Sequence, residues 1–481
     1  MRGVTPEANV GDFPASDGYT LSRADPMRHA RCSSPFYLAL AIGLTLSAPI
    51  ASAQGGRRGP PKTGSFQTDV PPIALNAILA RPTSTAVTLS LLSAADRDVV
   101  VVLEGEAPRR LPQHLRAGEP ASVELTGLVA DRAYRYHIEG AEPLLAGSFR
   151  TARRPGAGFR FVLQADSHLD ERSDTRIYAT ALGNMRADSA DFLIDLGDTF
   201  MSEKYPDFRT ASAQYYAQRS YFGLVGNTLP VFLVQGNHDG ELGWTAANAS
   251  WAAAMRTRYF PPVLANDFYV SAPSAKNYYA WQWGDAAFLV LDPFVATTDR
   301  PNRAGTSWAW TLGKEQYDWL VRTLDRSTAR YTFVFLHHLV GGTGYEARGG
   351  AEASRFFEWG GANLDGSPGF AARRPGWALP IHDLLLKYHV TAVFHGHDHL
   401  YVRQERDGIA YQEVPQPSLA REGGINSAEE YGYRSGTLFG SPGHVRVTVD
   451  STRAVVEFVR SRLSTGNGGI VDRYELKPRP R

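Results

Sequence analysis

The chain has 481 residues, of which 43% are hydrophobic and 21% charged, as in ordinary globular proteins, so a disordered or fibrous chain is excluded. Its 50 Lys and Arg nearly balance 49 Asp and Glu, which argues against a nucleic-acid-binding surface, because phosphate backbones attract clustered excess cations. The single cysteine, Cys32, excludes a disulfide framework, a cysteine-ligated zinc site and an iron–sulfur cluster. The positions of the 13 histidines therefore carry most of the information about chemistry.

Residues 1–53 are predicted to comprise an upstream extension and a secretory signal peptide. Basic residues follow Met27, an apolar run occupies residues 36–53, and the run closes with the cleavage pattern Ala51-Ser52-Ala53. The run is short for a membrane span and contains Pro49, which favours cleavage over anchoring. We therefore expect translation from Met27, export to the periplasm or the medium, and no membrane attachment after cleavage.

The next segment is predicted to be a linker followed by a small all-β domain. Residues 54–72 are rich in Gly, Pro and Arg and lack periodicity, as linkers do. From residue 73 to 153, short alternating apolar runs are separated by turn residues at intervals of about ten, the pattern of a β-sandwich. The stretch 123–128, the sequence Tyr134-Arg135-Tyr136 and the closing residues 147–151 resemble the end of a fibronectin type III domain. We expect this domain to have a structural or positioning role.

Residues 158–461 are predicted to form a layered α/β domain, because buried-type strands alternate with helical stretches. The predicted helices cover residues 174–186, 315–324 and 381–388. The predicted strands cover residues 159–164, 191–196, 231–234, 331–336, 390–394, 444–449 and 454–459. Residues 462–481 are predicted to be a C-terminal tail.

Five motifs with metal-binding side chains follow five of these strands. In chain order they are Asp166-Ser167-His168, Gly197-Asp198, Gly236-Asn237-His238-Asp239, His337-His338 and Gly396-His397-Asp398-His399. Each motif alone is weak, because Asp-x-His occurs by accident on surfaces and Gly-Asp is a common turn. Ligands of open α/β sheets bind beyond the carboxyl ends of strands, where all five motifs lie. Their joint occurrence predicts one shared metal site.

The donor atoms of these motifs indicate the class of metal. Asp and Asn oxygens mixed with imidazoles suit Fe, Zn or Mn and exclude a soft copper(I) site. Two ions that share one carboxylate can activate water and stabilise both ends of an in-line displacement at phosphorus. Such a pair of ions could activate a bridging hydroxide for attack on a phosphate ester.

The order D-x-H, G-D, G-N-H, H and G-H-x-H resembles the calcineurin-like metallophosphoesterase superfamily. This resemblance implies a four-layer αββα sandwich, preceded here by the small fibronectin-III-like sandwich. It implies a first metal bound by Asp166, His168 and His399, a bridging carboxylate from Asp198, and a second metal bound by Asn237, His337 and His397. His337 is preferred to His338 because the family ligand is the first histidine after the strand. His238 would not bind metal but would stabilise the transition state or protonate the leaving oxygen.

The sandwich and the run from Gly396 to Arg403 also resemble the layout of purple acid phosphatases, with two departures. Those enzymes carry Gly-Asp-x-x-Tyr, whose tyrosine binds iron, whereas the fifth residue here is Met201. They also lack the histidine that stands here as His168. The resemblance therefore implies an imidazole in place of the phenolate. We predict that the protein, when loaded with iron, shows no intense visible charge-transfer band.

Several other polar residues are expected to be structural. His395 immediately precedes the last motif and is expected in the core or behind the ligands. His382 and His389 lie on or after a predicted helix. Asp239 and Asp398 are expected to bond the backbone of their turns rather than to act as general acids.

Two long segments between the motifs could shape the substrate site. The insert at residues 341–377 is rich in glycine and aromatics and carries Arg348, Arg373 and Arg374. It is either a rim whose arginines bind the substrate phosphate or a solvated loop. The stretch 244–279 is a second possible rim.

The leading expectation is an exported dinuclear metal-dependent hydrolase of phosphate monoesters. A phosphodiesterase with the same site is the alternative, because loops decide whether two ester substituents fit. A non-catalytic cell-envelope binding protein is disfavoured, because a degenerate domain would have lost ligands and none is missing here.

Overall fold

The computed structural model describes residues 69–479, except residues 72, 171–172, 203–204, 206, 241–245, 273–276, 298–306, 344–346 and 424. The predicted signal peptide, the start at Met27 and nearly all of the predicted linker lie outside the described residues. Among the described residues, no helix has the length and apolarity needed to cross a bilayer.

Residues 75–150 form an antiparallel β-sandwich, as the alternating pattern predicts. One sheet has the order β1-β2-β5 and the other β4-β3-β6-β7. Side chains from both sheets form one core, with Leu89, Val101 and Ile138 fully buried in it. The strands are β1 (Leu75–Ala80), β2 (Val87–Ser93), β3 (Arg97–Leu103), β4 (Arg109–Leu115), β5 (Ala121–Leu125), β6 (Ala133–Glu139) and β7 (Leu145–Arg150).

The following residues form two larger mixed sheets. The first has the order β10-β9-β8-β19-β20-β21, and the second has the order β11-β12-β13-β14-β15-β17-β16-β18. Their strands are β8 (Phe159–Gln164), β9 (Phe192–Asp195), β10 (Val231–Leu233), β11 (Val270–Ser271), β12 (Tyr279–Trp283), β13 (Ala286–Val290), β14 (Tyr331–Phe335), β15 (Ala392–His395), β16 (Leu400–Arg406), β17 (Ile409–Glu413), β18 (Thr437–Gly440), β19 (Gly443–Val449), β20 (Ala454–Arg460) and β21 (Ile470–Leu476).

Helices cover the outer faces of both sheets. The α-helices are α1 (Thr175–Ala187), α2 (Phe208–Phe222), α3 (Ala246–Tyr259), α4 (Gly313–Arg326), α5 (Phe357–Gly360), α6 (Phe370–Arg373) and α7 (Ile381–Lys387). Helices α1 and α2 share a core cluster with the first sheet, and α4 and α7 share one with the second. Between the sheets lies an aromatic core that includes Phe161, Phe288 and Phe394. The predicted four-layer αββα architecture is therefore confirmed.

The central strands are buried on both faces, which explains why the sequence shows them so clearly. All residues of β9, β14 and β15 are buried, so these strands read as continuous apolar runs. β8, β9 and β10 pair in parallel, as do β13, β14 and β15. Parallel strands bring their carboxyl ends to one edge of each sheet, which is where the five motifs begin.

The predicted C-terminal tail is wrong in part, because β21 is the edge strand of the first sheet and pairs antiparallel with β20. The hydroxyl of Tyr474 donates to Gln412 Oε1 at 3.0 Å, and the hydroxyl of Tyr401 donates to Asp472 Oδ2 at 2.8 Å. The strand escaped prediction because an edge strand is largely exposed and Asp472, Arg473 and Glu475 make its sequence polar. The α/β domain therefore extends well beyond residue 461.

Candidate metal centre

The structure brings all the predicted ligand residues together at the carboxyl ends of the central strands. Two groups of side chains have donor atoms within 4.8 Å of one another, namely Asp166, His168 and His399 in the first and Asp198, His337 and His397 in the second. The first sheet contributes the loops after β8, β9 and β10, and the second sheet contributes those after β14 and β15. The site thus lies where the two sheets meet.

Asp198 lies between the two groups. Its Oδ2 atom is 3.7 Å from His168 Nε2 and 3.3 Å from His337 Nε2. Asp166 Oδ1 completes the first group, 3.5 Å from His168 Nε2 and 3.4 Å from His399 Nε2. This geometry suits a carboxylate shared by two cations.

His337 joins the second group through its Nε2 atom, which is 2.9 Å from Asn237 Oδ1 and 3.2 Å from His397 Nδ1. Its Nδ1 atom lies 2.9 Å from the carbonyl oxygen of Leu196, which orients the ring with Nε2 toward the site. His338 lies beside the second group without belonging to it, with its ring centre 5.2 Å from that of His397 and 4.7 Å from that of Trp310. The choice of the first histidine therefore matches the geometry.

The donor set fits metal ions. Asp166 Oδ1 and His168 Nε2 are buried and make no hydrogen bond to the described residues. Buried polar atoms normally have partners, and a cation would satisfy both of these. Carboxylate, amide oxygen and imidazole donors suit Fe, Zn or Mn. Asp166, His168, Asp198, Asn237, His337 and His397 would hold these ions from within the protein, and His399 from its more exposed side.

Several of these residues adopt backbone conformations that cost free energy. The φ angles of Asp166, His168, Asp198, His397 and His399 lie between +40° and +85°. A non-glycine residue in this region costs about 1–3 kcal/mol, and such residues cluster at active sites and ligand-binding sites. Glycine permits the tightest approach, because a Cβ at Gly236 would lie 2.0 Å from the Asp198 nitrogen.

The buried charges influence one another strongly. Burial opposes ionisation of Asp198, but His337 and His238 outweigh it and hold the pKa of Asp198 well below its usual value. Burial lowers the pKa of His168 to about 4, with a further contribution from His399. Burial also lowers the pKa of His397 well below its usual value. At neutral pH His168 and His397 are therefore neutral imidazoles, the form that binds metals.

His238 stands beside the two groups rather than inside them. Its backbone N–H donates to Asp198 Oδ1 at 2.7 Å, and its ring centre lies 5.8 Å from that of His168. His238 is half-buried, and the side chain of His399 is 27% exposed. These two histidines mark the open side of the site.

Asp239 joins the loop after β9 to the loop after β10, because its carboxylate accepts hydrogen bonds from backbone nitrogens of both. Its carboxylate accepts from the backbone nitrogens of Gly236 at 2.7 Å, Asp198 at 3.2 Å, and Thr199 and Phe200 both at 2.8 Å. Burial, together with the charge of Asp198, raises its pKa to about 7. The predicted structural role of Asp239 is confirmed.

Asp398 has a comparable role between His397 and His399. Its carboxylate accepts from Arg348 Nη1 at 2.9 Å, the Gly349 nitrogen at 2.9 Å and the Tyr433 hydroxyl at 2.8 Å. Arg348 Nη1 also donates to the carbonyl oxygen of His397 at 2.8 Å. The insert thus supports the motif from behind.

The insert is not a solvated loop throughout, because part of it packs into the protein, whereas its proposed role as a rim stays a prediction. Phe357, Glu358 and Trp359 are buried. Arg374 forms an ion pair with Glu358 and donates to the Trp308 carbonyl oxygen at 2.6 Å. Arg373 alone of the three candidate arginines is exposed.

The remaining histidine predictions agree with the structure. His395 Nδ1 lies 2.6 Å from Glu413 Oε2, and Glu413 Oε1 accepts from the Asp398 nitrogen at 2.9 Å, so this pair lies behind the last motif. His382 lies 2.7 Å from the Tyr411 hydroxyl, away from the site. His389 is exposed, also away from the site.

Two glutamines of α2 that the sequence does not single out hold the loops carrying the candidate ligands. Gln218 Nε2 donates to Ser167 Oγ and to the Thr199 carbonyl oxygen, both at 2.7 Å, and Gln214 Nε2 donates to the Leu169 carbonyl oxygen at 2.9 Å. Their spacing of four residues places both on one helix face, but it gives no sign of a site. The stretch 244–279, considered a rim, contains α3, whose Tyr259 packs in the core cluster with α2.

Comparisons with known proteins agree with this geometry. A family model described as calcineurin-like phosphoesterase matches residues 159–401, just over half of the 481 residues. A structure of PhoD is similar with a TM-score of 0.58 and 16% identity, covering 84% of this chain and 91% of that one. Purple acid phosphatase PPD1 from yellow lupin seeds has a TM-score of 0.58 and 14% identity, covering 85% and 75%. At these identities the two structures establish a shared fold. No curated protein sequence matches this chain.

Proposed function

Because this chain belongs to the calcineurin-like phosphoesterase family and is a phosphoester hydrolase, we propose that it hydrolyses phosphate monoesters at a centre of two metal ions. The position of Asp198 carries the proposal. Its Oδ2 atom is within 3.7 Å of His168 and 3.3 Å of His337, so one carboxylate can serve both groups of donors.

In this proposal Asp166, His168 and His399 hold one ion, and Asn237, His337 and His397 hold the other. When bound, the ions supply Lewis acidity and a nucleophile derived from water at neutral pH. The surrounding protein shields the ligand side chains from bulk water, since six of the seven proposed ligand residues are at most 5% exposed. Electrostatic interactions in such a low-dielectric site are stronger than in water.

His238 is proposed to act on the substrate itself. The hydrogen bond from its backbone nitrogen to Asp198 Oδ1 fixes its position relative to the bridging carboxylate. Its half-buried ring lies on the open side of the site, where the ester must enter. A ring nitrogen there can hydrogen-bond to the phosphoryl oxygens and protonate the leaving oxygen.

We favour a monoester as the substrate class. Deep burial of the other donor groups leaves His238 and His399 as the partly exposed members of the site. A monoester presents a terminal phosphate that carries one substituent, whereas a diester needs room for two substituents beside the site. Phosphodiester hydrolysis remains the competing outcome of the test.

We expect metal-loaded protein to hydrolyse 4-nitrophenyl phosphate with a higher kcat/KM than bis(4-nitrophenyl) phosphate. Metal analysis of the same sample would identify Fe, Zn or Mn and the number of ions per chain. Asp198→Asn should abolish most turnover, and His238→Ala should lower kcat about 100-fold or more while leaving the metal content unchanged. His389→Ala, at an exposed histidine away from the site, is the matched control. Faster cleavage of the bis-ester would make the protein a diesterase, and full activity of Asp198→Asn would refute the site.

We also propose that the protein is exported. The support is the basic, apolar and small-x-small order of residues 28–53. N-terminal sequencing of the protein recovered from the periplasm or medium should begin at Gln54, and an intact N-terminus in the cytoplasm would contradict export.

A further inference from the structure

The β-sandwich is built into the catalytic domain through its β1-β2-β5 sheet. All residues of β1 and β2 are buried, so both faces of these strands are covered. Leu79 and Leu89 face the core of the sandwich itself. Ile78 and Leu92 instead belong to the cluster formed by α1, α2 and the first sheet. An independent module would leave this second face to solvent.

The backbones at this joint approach closely. A Cβ at Gly223, the residue that ends α2, would lie 1.7 Å from Asn76 Nδ2. Asn76 Nδ2 donates to the carbonyl oxygen of Arg219 at 3.0 Å, and the Leu79 nitrogen donates to the Gly226 carbonyl oxygen at 2.8 Å. The end of α2 is therefore fixed to β1 by contacts that have no room to shift.

Arg219 strengthens the same joint from the helix side. It is fully buried, and its guanidinium donates to the carbonyl oxygen of Ser90 on β2 at 2.6 Å and to that of Tyr259 at the end of α3 at 2.8 Å. A buried guanidinium requires such partners, because an unpaired charge in the interior is costly. One side chain thus ties the sandwich to two helices.

The neighbouring residue on α2 reaches the metal-binding loops. Gln218 bonds to Ser167, which separates Asp166 from His168, and to Thr199, which follows Asp198. Its Oε1 atom also accepts from the Tyr178 hydroxyl at 3.3 Å, which orients the amide. Consecutive residues of one helix therefore contact the sandwich and the loops that carry three proposed ligands.

We propose that α2 is a positioning element through which the β-sandwich sets the conformation of the metal-binding loops, with Gln218 as its positioning residue. The loops need outside support because Asp166, His168 and Asp198 all hold left-handed backbone conformations. The proposal rests on the proposed function in that these loops bind metal. It extends that function by making the sandwich part of the support of the site.

Three variants test this role. Gln218→Met removes the amide bonds at similar volume, and Asn76→Leu breaks the joint on the sandwich side without touching the loops. Val101→Ala is the matched control, because Val101 is fully buried in the core of the sandwich and lies outside the joint cluster. The dissociation constant for Mn²⁺ would be measured by chelator competition on the full chain, together with thermal unfolding and, for a phosphomonoester, kcat and KM.

We expect Gln218→Met to weaken Mn²⁺ binding about tenfold, within the range seen when residues behind metal ligands are changed. Asn76→Leu should weaken it about threefold, by relaxing the same helix from its other end. Val101→Ala should lower the unfolding temperature without changing the dissociation constant. In both Gln218→Met and Asn76→Leu, kcat should fall and KM should stay near the wild-type value.

Unchanged Mn²⁺ affinity in Gln218→Met would overturn the positioning role of α2. Equal loss of affinity in Asn76→Leu and Val101→Ala would show that general stability of the sandwich matters and would overturn the coupling. If Gln218→Met fails to fold, the comparison of Asn76→Leu with Val101→Ala still decides the question. A wild-type protein that binds Mn²⁺ but cleaves no phosphoester would contradict the proposed function while leaving the affinity test of α2 intact.

Discussion

Asp398 and Arg348 show how the turn that carries the proposed ligands His397 and His399 is held in place by residues outside the proposed ligand set. Arg348 bonds both to the Asp398 carboxylate and to the His397 carbonyl oxygen, and its guanidinium lies 4.4 Å from the ring centre of Tyr431. His397 has a φ of +85°, a conformation that its own backbone disfavours. The arginine therefore acts on the shape of the turn.

Replacing Arg348 should weaken metal binding and leave substrate binding unchanged. We expect Arg348→Ala to weaken metal affinity about tenfold and to lower kcat, with KM for a phosphomonoester unchanged, because the guanidinium touches the motif behind the ligands. Metal titration and steady-state kinetics would measure both effects. Arg373→Ala, at the exposed arginine of the same insert, should change neither quantity. A raised KM with intact metal affinity would instead assign Arg348 to the substrate phosphate.

At the scale of elements, β21 shows what a polar edge strand contributes. Tyr474 packs against the core between the sheets, its hydroxyl donates to Gln412 Oε1 at 3.0 Å, and Arg403 lies 5.0 Å from its ring centre. Arg473 beside it is exposed and lies 4.0 Å from Glu457. The strand thus alternates between a packed face and a solvated one, which is enough to extend the sheet.

The two faces of β21 should respond differently to substitution. Tyr474→Ala should lower the free energy of unfolding by about 2 kcal/mol, because it removes a partly buried aromatic ring and its hydrogen bond. Arg473→Ala should change it by less than about 0.5 kcal/mol, because exposed ion pairs contribute little. Urea unfolding of the two variants would check this difference. Equal and small effects would show that these residues form a dispensable tail.

At the scale of the whole molecule, a buried charge network links the helical layer to the first sheet. Asp188, directly after α1, accepts from His444 Nε2 at 2.7 Å and from Arg446 Nη1 at 2.5 Å on β19. Arg446 also bonds to Glu457 on β20 at 2.9 Å. The helical layer and the middle of the first sheet are thereby linked through one carboxylate.

This link predicts an acid-sensitive contribution to stability. Burial opposes ionisation of Asp188, but His444 and Arg446 outweigh it and hold its pKa below the usual value. A carboxyl with a lowered folded-state pKa stabilises above its unfolded pKa of about 3.9 and loses that contribution as the pH falls through the folded value. Asp188→Asn should therefore be most destabilising near pH 7, and the difference from wild type should shrink below about pH 4. Urea unfolding of metal-free protein across this range would measure it, and a difference independent of pH would contradict the mechanism.

The packing of the sandwich against the catalytic layers is also a property of the whole molecule. Both lie in one compact unit, and Ile78 and Leu92 of the sandwich complete the core around α1 and α2. The alternating pattern of β1 and β2 predicts one apolar face, but Asn76 and Ser90 on the other face are polar and look solvent-exposed in the sequence. Both residues are buried against α2. The Asn76 amide donates to the carbonyl oxygen of Arg219, and the Arg219 guanidinium donates to the carbonyl oxygen of Ser90, although Arg219 is more than a hundred positions away.

The sequence by itself determined the layered α/β class, the seven proposed ligands and the neighbouring His238. These are local properties, because apolar runs reveal buried strands and each ligand type stands within a few residues of a strand end. The tertiary structure decided which residues hold those ligands, namely Gln218, Arg348 and Tyr433. Within the insert, it decided that Arg348 and Arg374 make buried contacts whereas Arg373 is exposed. It also decided that residues 470–476 are a strand and that the sandwich is fixed to α2. Contacts between residues so far apart in the chain depend on how the layers pack, and neither composition nor periodicity carries that information.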